Sequence, residues 1–412
     1  MSRSPLPLLA LLLASCTTTS QNVPPAAHGV EYRGGQWFDG SRFIERTMYV
    51  ADGLLHTRAP ARIDSVVDLA GGYVVPPFGD AHQHIVDPRL EPTIRAHLQA
   101  GVFYVKDQAN GPILRPLLDA QLNKPTSFDY ISAFQGWTGP GGHPVALIKR
   151  GAAMGGPMAA FIRDSLDPGL VMQVATTADI DKRWSYFLAG RPHFVKVYLY
   201  HSEDHERLQN DPKAEGHRGM DPRLVPEIVK RAQAAGLQVS AHVYTAADFR
   251  NAISGGVHQI AHLPGGRGPD SLFVLTDADA AAAARRGVTV VTTVTQHLDT
   301  ALTARLLRTQ YARNINLLRK HRVPLLIGSD LFPGTAATEV GALVGSGLFS
   351  NLELLRMWSV TTPRAIFPAR RIGALQDGYE ASFLVLRADP LRDFRATQSI
   401  ALRVKQGVPH SM

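Results

Sequence analysis

The sequence predicts an α/β protein, a (β/α)8 TIM-like barrel with a small β-sandwich built from both chain ends. Three observations lead to this prediction. The middle of the chain alternates apolar strand-like runs with helical segments, which is typical of a parallel sheet. Both ends carry short alternating strands separated by turn residues. The 412 residues are enough for one large barrel and a smaller unit beside it.

The first residues resemble an export signal. We expect a signal peptide over residues 1–15 and a polar tether over 16–28. Arg3 precedes the apolar run PLPLLALLLA, which is too short to span a bilayer as a mature helix. The run ends in LASC, which is similar to a bacterial lipoprotein box, and in such proteins the cysteine, here Cys16, becomes the lipid-bearing first residue. An ordinary signal peptide with an incidental cysteine is the alternative.

This leader predicts where the protein resides. A lipid on Cys16 would anchor it to the bacterial cell envelope facing the periplasm, and Thr17 after the cysteine resembles outer-membrane sorting. A soluble periplasmic protein is the alternative. Cys16 is the only cysteine, so no disulfide can form within the chain.

The two segments that flank the predicted barrel both show a pattern of short strands separated by turn residues. Residues 29–72 contain YRGGQWFDG, FIERTMYVADG and RIDSVVDLAG, and residues 371–412 contain IGALQDGYEASFLVLRADP and ATQSIALRVKQG. Neither segment is large enough to bury a core alone. We therefore expect them to pair as the two parts of the sandwich.

Residues 73–370 are predicted to form the barrel. Strands buried on both faces read as nearly continuous apolar runs. Asp221 and Pro222 mark one helix start and Gly236 its end. The eight strand candidates are YVVPPFGDAH, GVFYVKD, FDYISAF, HFVKVYLY, LQVSAHVY, HQIAHL, VTVVTTVT and VPLLIGSD.

Side chains suited to metal binding stand at the ends of five of these strands. A (β/α)8 barrel brings the carboxyl ends of its strands around one opening, where it performs its chemistry. The two histidines of an HxH pair point to the same face of a strand. A divalent-metal site is therefore predicted at this end, formed by His82, His84, Lys196, His242, His262 and Asp330.

Lys196 is the unusual member, because an ammonium group cannot ligate a metal. A buried lysine has a lowered pKa, and its neutral amine could react with carbon dioxide to give a carbamate that bridges two cations. An ion pair with Asp330 or another acid is the alternative. His242 and His262 could be ligands or interior histidines. Asp330 could bind metal and also accept a proton from an attacking water.

The ordered set resembles the metal-dependent amidohydrolase superfamily, and the likeness covers nearly the whole chain. It extends to Gly373-Ala374-Leu375 with Gly378, which is similar to the C-terminal signature of that superfamily. The segment GGHP, residues 141–144, looks most like the imidazolonepropionase and Xaa-Pro dipeptidase-like branch. Ala381-Ser382-Phe383 departs from the usual Ala-Asp-Leu, but it lies outside the barrel.

The resemblance implies two divalent ions, with zinc the expected metal. His82, His84 and Asp330 would hold one ion and His242 and His262 the other, with a carbamate on Lys196 between them. It implies a metal-activated water that cleaves an amide or other C–N bond of a small, carboxylate-bearing substrate. A lactone or phosphoester hydrolase on the same site, or a solute-binding lipoprotein without catalysis, are the alternatives.

Three further residues are candidates for substrate contact. His143 in GGHP, Tyr244 after the fifth strand and His297 after the seventh could each meet a substrate, or could simply pack in loops. The polar segment 201–219 could be a lid or a solvated loop. The formal charge of +8 is spread without a basic run, so no nucleic-acid partner is expected. Assembly into a homo-oligomer is left open.

Overall fold

A computed structural model describes residues 28–155, 170–296, 299–331 and 333–410. The predicted signal peptide, Cys16 and His297 lie outside these residues. Within them, no helix combines the length and the apolar character needed to cross a membrane.

The described residues contain strands of very different length. The strands are β1 (His28–Phe38), β2 (Phe43–Ala51), β3 (Leu54–His56), β4 (Arg62–Asp68), β5 (Tyr73–Val75), β6 (Phe78–Gln83), β7 (Val102–Asp107), β8 (Asp129–Ser132), β9 (Gly136–Thr138), β10 (Val171–Gln173), β11 (Val195–Tyr198), β12 (Val239–His242), β13 (Gln259–Ile260), β14 (Thr289–Val291), β15 (Leu325–Leu326), β16 (Phe383–Leu386), β17 (Ile400–Lys405) and β18 (Val408–His410).

Helices alternate with the strands after β6. The α-helices are α1 (Leu90–Gln99), α2 (Gly111–Gln121), α3 (Val145–Ala153), α4 (Thr177–Ala189), α5 (His205–Leu208), α6 (Val225–Ala234), α7 (Ala246–Gly255), α8 (Asp270–Phe273), α9 (Asp277–Arg285), α10 (Thr300–Arg308), α11 (Gln310–Lys320), α12 (Ala336–Ser346), α13 (Asn351–Arg356) and α14 (Thr362–Ile366).

Both chain ends pair into one sheet, as the sequence predicts. The strand order is β18-β17-β16-β5-β1-β2-β3, and β4 pairs with β1. The join is made by β5, which is parallel to β1 and antiparallel to β16. The predicted sandwich is corrected in part, because hydrogen bonding connects all eight strands in a single sheet. The physical reason is the length of β1, whose eleven residues give room for three partners.

The middle of the chain forms parallel sheets, which confirms the predicted α/β class. One sheet has the order β10-β9-β11-β12-β13-β14-β15 and the other β6-β7-β8. Backbone hydrogen bonds connect β6 to the segment after β15: Ala81 N donates to Ile327 O at 2.8 Å, and Asp330 N donates to His82 O at 2.8 Å. These bonds bring the ends of β6 and β15 side by side.

Two predicted strands are interrupted or shortened. The first splits at Pro76 and Pro77, because proline lacks the N–H that a sheet ladder needs, and only β6 belongs to the parallel sheet. The third predicted strand, residues 128–134, is shortened to β8, and Phe134 after it adopts a positive φ of 66°. The sequence did not predict β9 or β10, which pair with each other.

A stacked aromatic pair connects β6 to the helical segment after the last parallel strand. Phe78 and Trp358 have ring centroids 3.7 Å apart and nearly parallel planes, and both side chains are buried. Trp358 lies in a π-helical turn, Met357–Thr361, between α13 and α14. This contact anchors the strand that carries the HxH pair against the core.

Candidate metal centre

The six predicted metal-binding side chains meet in one place. They all line a cavity of about 60 Å³ at the carboxyl ends of the parallel strands. His82 lies within β6, Lys196 within β11, and His242 ends β12. The remaining three follow the ends of their strands. The short strands and parallel pairing therefore place residues distant in sequence at one opening, as expected for such sheets.

Asp330 lies at the centre of this group. Its Oδ1 is 3.3 Å from Nε2 of His82 and 3.3 Å from Nε2 of His84, and its Oδ2 is 3.8 Å from Nδ1 of His262. The ligand atoms that His82, His262 and Asp330 can offer lie within 4.8 Å of one another. These spacings allow a single cation to be shared.

The histidine rings form a continuous group. Ring centroids are 4.4 Å apart for His82 and His262 and 4.4 Å apart for His242 and His262. Burial lowers the pKa of all three imidazoles well below the usual value, and neighbouring cationic groups lower it further. They are therefore neutral near pH 7, which is the form that binds metal.

Lys196 is fully buried, and burial lowers the pKa of its amine to about 7. Among the described residues its Nζ has no hydrogen-bond partner, and neither does Nε2 of His242. The alternative, an ion pair of Lys196 with Asp330, is therefore not seen among the described residues. Two buried nitrogen atoms without partners are costly unless a bound group satisfies them, so the site fits a metal and a carbamate.

Asp330 remains ionised although burial raises its pKa. The hydrogen bond from His84 and the electrostatic interactions with His262, His84 and Lys196 outweigh that effect, so the pKa of Asp330 is lowered. A carboxylate in the group of imidazoles supplies the negative charge that a divalent ion requires.

Outer contacts orient the histidines. Nδ1 of His82 is 3.0 Å from the carbonyl oxygen of Ala261, and Nδ1 of His262 is 3.0 Å from Oγ1 of Thr293. Such contacts fix the ring orientation, as they commonly do for metal-binding histidines.

Asp80 is a buried residue of the site that sequence reasoning missed. Its Oδ1 accepts hydrogen bonds from the backbone N–H groups of His82 and Ser329, and its Oδ2 accepts one from the Ser329 hydroxyl at 2.7 Å. It therefore connects the segments of His82 and Asp330. The signal was available, since Asp80 lies in GDAHQH and Ser329 in GSD.

His143 lines the cavity, but Tyr244 does not. The His143 ring stacks on His242 with centroids 4.4 Å apart and on Tyr200 with centroids 5.3 Å apart. Tyr244 stacks on the far side, 4.5 Å from Tyr200. Tyr244 thus lies behind Tyr200 rather than against the cavity. Tyr198, which the sequence analysis also passed over, does line the cavity.

The segment 201–219 contacts the GGHP loop directly. The Arg218 carbonyl accepts from the His143 N–H at 2.6 Å, and the Arg218 side chain donates from Nε to the Pro140 carbonyl at 3.0 Å. The same guanidinium donates to the carbonyls of Leu208 and Asp211. The segment therefore supports the loop that carries His143.

Fold and site together define an α/β protein with a candidate metal centre at the carboxyl ends of its parallel strands. The chain belongs to the amidohydrolase family, whose sequence profile, described as Amidohydrolase family, matches residues 191–408.

Solved structures with the same fold cover almost the whole chain. A prolidase complexed with N-methylphosphonate-L-proline is 17% identical and has a TM-score of 0.72, covering 93% of this chain and 99% of its own. The ochratoxinase of A. niger is 17% identical with a TM-score of 0.73, covering 93% and 96%. An Xaa-Pro dipeptidase with methionine bound in its active site is 13% identical with a TM-score of 0.70, covering 93% and 100%.

Similarity to curated proteins is confined to a short stretch. Uncharacterized proteins of Mycobacterium tuberculosis and Mycobacterium bovis are 37% identical over 86 residues. The match covers 19% of this chain and 14% of the length of each of those relatives.

Proposed function

We propose that this protein is a metal-dependent hydrolase that cleaves an amide or related C–N bond of a small molecule. The observation that carries the proposal is the convergence of six donor side chains on one cavity, two of them with buried nitrogen atoms that lack partners. Family membership and the likeness to a prolidase and an Xaa-Pro dipeptidase support the same bond class.

Two divalent ions, with zinc the preferred candidate, would occupy the centre. His82, His84 and Asp330 would hold one ion, and His242 and His262 the other. Lys196 would supply a ligand to both as a carbamate: its neutral Nζ would bond to the carbon of carbon dioxide and lose a proton, and the single negative charge would be shared by two oxygens. When bound, the ions would lower the pKa of a water and polarise the substrate carbonyl.

The side chains would divide the remaining work. Asp330, ionised and centred among the histidines, would accept the proton of the attacking water and return it to the leaving nitrogen. His143 and Tyr198 line the same cavity and carry hydrogen-bonding groups for the substrate. The stack of Tyr200 and Tyr244 behind His143 would hold its ring in place.

The proposal extends to the setting of the site. The parallel sheets would form the (β/α)8 barrel expected from the sequence, with the imidazolonepropionase and Xaa-Pro dipeptidase-like branch as the nearest group, on the grounds of GGHP and the structural neighbours. A lipid on Cys16 would hold the protein at the periplasmic side of the envelope.

Metal content and activity of Lys196→Met test this proposal. The purified wild type should hold close to two divalent ions, and the variant should lose most of the metal and at least about a hundredfold of kcat/KM, because the bridging group is gone. The matched control is Lys106→Met. Lys106 is also buried with a pKa lowered to about 7, but it lies over the Phe194 ring, 4.1 Å from its centroid, and does not line the cavity.

The control variant should keep its metal and activity. Full metal occupancy and activity in Lys196→Met would reject the bridging role. An Asp330→Asn variant that still turns over substrate at the wild-type rate would reject the proton transfer assigned to this carboxylate.

A further inference from the structure

The cavity that holds the donor side chains also has a large apolar lining. These residues come from the segments after β6 and β7, from α3 and its preceding proline, and from β10 and the residue before it. They are Val86, Ala109, Pro144, Leu147, Ile148, Leu170 and Val171. An apolar lining with a few polar groups is typical of small-molecule sites.

Leu147 stands out within this lining because it is open to solvent. It is 43% exposed, whereas its neighbour Ile148 is 3% exposed. Both lie in the first turns of α3 and both line the cavity. An apolar side chain that borders both a cavity and solvent loses contact with water when a ligand binds, so it favours apolar ligands.

Charged partners for a substrate are few in this cavity. Among the described lining residues, Lys196 is the basic and Asp330 the acidic side chain apart from the histidines, and the proposed function commits both to the ions and the reaction. A substrate carboxylate placed against the apolar lining, away from the proposed ions, would lose its hydration without gaining a cationic partner among the described residues, which is unfavourable.

We propose that the non-reacting part of the substrate is uncharged and apolar, an alkyl or aryl group attached to the scissile amide, carbamate or urea group. This inference rests on the proposed function, and it differs from the carboxylate-bearing substrate that the resemblance implies. Leu147 and Ile148 would contact that group, and it would displace solvent from the lining around them.

Matched substrate pairs test the inference with the metal-loaded protein. The first pair varies the acyl side: butyryl 4-nitroanilide against succinyl 4-nitroanilide, which exchanges a methyl group for a carboxylate. The second varies the amine side: acetyl 4-toluidide against 4-acetamidobenzoate. We expect kcat/KM to favour the uncharged member by at least about tenfold in one pair or both. Equal rates, or a preference for the charged member, in both pairs would overturn the inference.

Leu147→Arg places a cation at the lining and should reduce the preference for the uncharged member by about tenfold or more. The matched control is Leu188→Arg, at a leucine that is 37% exposed on α4 and does not line the cavity. The control should leave the preference unchanged. An unchanged preference in Leu147→Arg would count against the assigned contact.

Direct binding separates this inference from the proposed function. If the wild type hydrolyses none of the four compounds, the proposed function fails for these bonds. Calorimetry on the Asp330→Asn variant then decides the inference, with butyranilide and succinanilic acid as probes. We expect butyranilide to bind at least about tenfold tighter. Equal or tighter binding of the acid, or no binding of either, would overturn it.

Discussion

Asp330 follows the last parallel strand, β15, and has a left-handed backbone conformation with a φ of 52°. Non-glycine residues adopt this conformation seldom, and it is concentrated at functional sites. Here it coincides with the hydrogen bond from Asp330 N to the His82 carbonyl and with a carboxylate directed at two imidazoles. The backbone geometry thus contributes to the placement of the proposed proton acceptor.

Lys106 provides a prediction about pH. Burial lowers its pKa from 10.5 to about 7 in the folded protein. Between these values the unfolded chain binds one more proton, so the free energy of unfolding should rise with pH by about 1.4 kcal/mol per unit. Below pH 7 both states are protonated and this contribution to the slope disappears.

Urea denaturation of the metal-free wild type and Lys106→Met at pH 7.5 and 9.5 measures this effect. From the lower to the higher pH, the free energy of unfolding of the wild type should gain roughly 2.7 kcal/mol relative to the variant. Parallel changes in the two proteins would show that Lys106 does not titrate in this range.

The residues of the candidate centre could be predicted from the sequence, because the carboxyl ends of parallel strands converge whatever the details of side-chain packing. His82 and His84 follow from the two-residue period of a strand, and Asp330 from its place after an apolar run. Tyr200 was not predictable in this way, and for Asp80 the sequence gives its position beside the HxH pair but not its partners. Their roles depend on which ring or backbone N–H a neighbouring loop brings within contact distance.

At the scale of elements, one carboxylate joins two loops beside the site. Asp248 caps α7 and is fully buried. It accepts hydrogen bonds from the backbone N–H groups of Ser202 at 2.8 Å, Thr245 at 2.9 Å, Tyr244 at 3.0 Å and His201 at 3.2 Å. The loops after β11 and β12 are therefore held in one arrangement by a single side chain.

Asp248→Ala should lower the free energy of unfolding by about 3 kcal/mol or more, because several N–H groups lose their acceptor. It should also lower kcat/KM, because Tyr200 and Tyr244 lie in these loops and stack behind His143. The measurements are chemical denaturation and steady-state kinetics on the same preparations.

Asp179→Ala is the matched control for this change. Asp179 occupies the same capping position in α4, but among the described residues it accepts from Ala175 and Thr176 alone, and these contacts are exposed. We expect a cost of about 1 kcal/mol and unchanged kinetics. Equal effects of the two substitutions would mean that Asp248 acts as a helix cap alone.

The boundaries of elements were less predictable than their order. The sequence TARLLRTQYARNINLLRKH predicts a single helix over residues 303–321, but the structure has α10 and α11, separated at Thr309, where ψ is −99°. The apolar periodicity of the sequence continues through this break, because each of the two helices buries an apolar face. The sequence SNLELLRMWSVTTPRAI also predicts one helix, over residues 350–366. In the structure a π-helical turn, Met357–Thr361, interrupts it around the buried Trp358.

At the scale of the whole molecule, buried charges connect the terminal sheet to the parallel sheet. Asp129 of β8 lies 2.7 Å from Nζ of Lys405 in β17 and 2.7 Å from a guanidinium nitrogen of Arg370, which also pairs with Glu380. Asp129 and Lys405 are almost completely buried. Removing the Asp129 carboxylate would leave the buried Lys405 without this charged partner and Arg370 with Glu380 alone.

Asp129→Asn should therefore lower the free energy of unfolding by about 3–5 kcal/mol. Chemical denaturation at low and high salt measures it, and the loss should persist at high salt because the pair is shielded from solvent. Asp277→Asn, at the exposed pair with Lys320, is the control and should leave the denaturation midpoint nearly unchanged. Similar losses in both variants would assign Asp129 no special part in joining the sheets.

The fold class was predictable because alternating strands and helices in the middle of the chain leave few arrangements other than a parallel sheet. The pairing of the two ends was predictable from their size alone. The strand order within the terminal sheet was not, since it depends on β4 and β5 pairing with successive stretches of β1, residues 28–33 and 36–37.

The pairing of β5 with β16 has a consequence for biosynthesis. On a ribosome, β5 emerges long before β16, with the entire parallel region translated in between. The edge of β5 that pairs with β16 therefore stays unpaired until β16 has left the ribosome. Ribosome-bound chains stalled before residue 383 should leave β5 open to proteases, and chains that include β16–β18 should not.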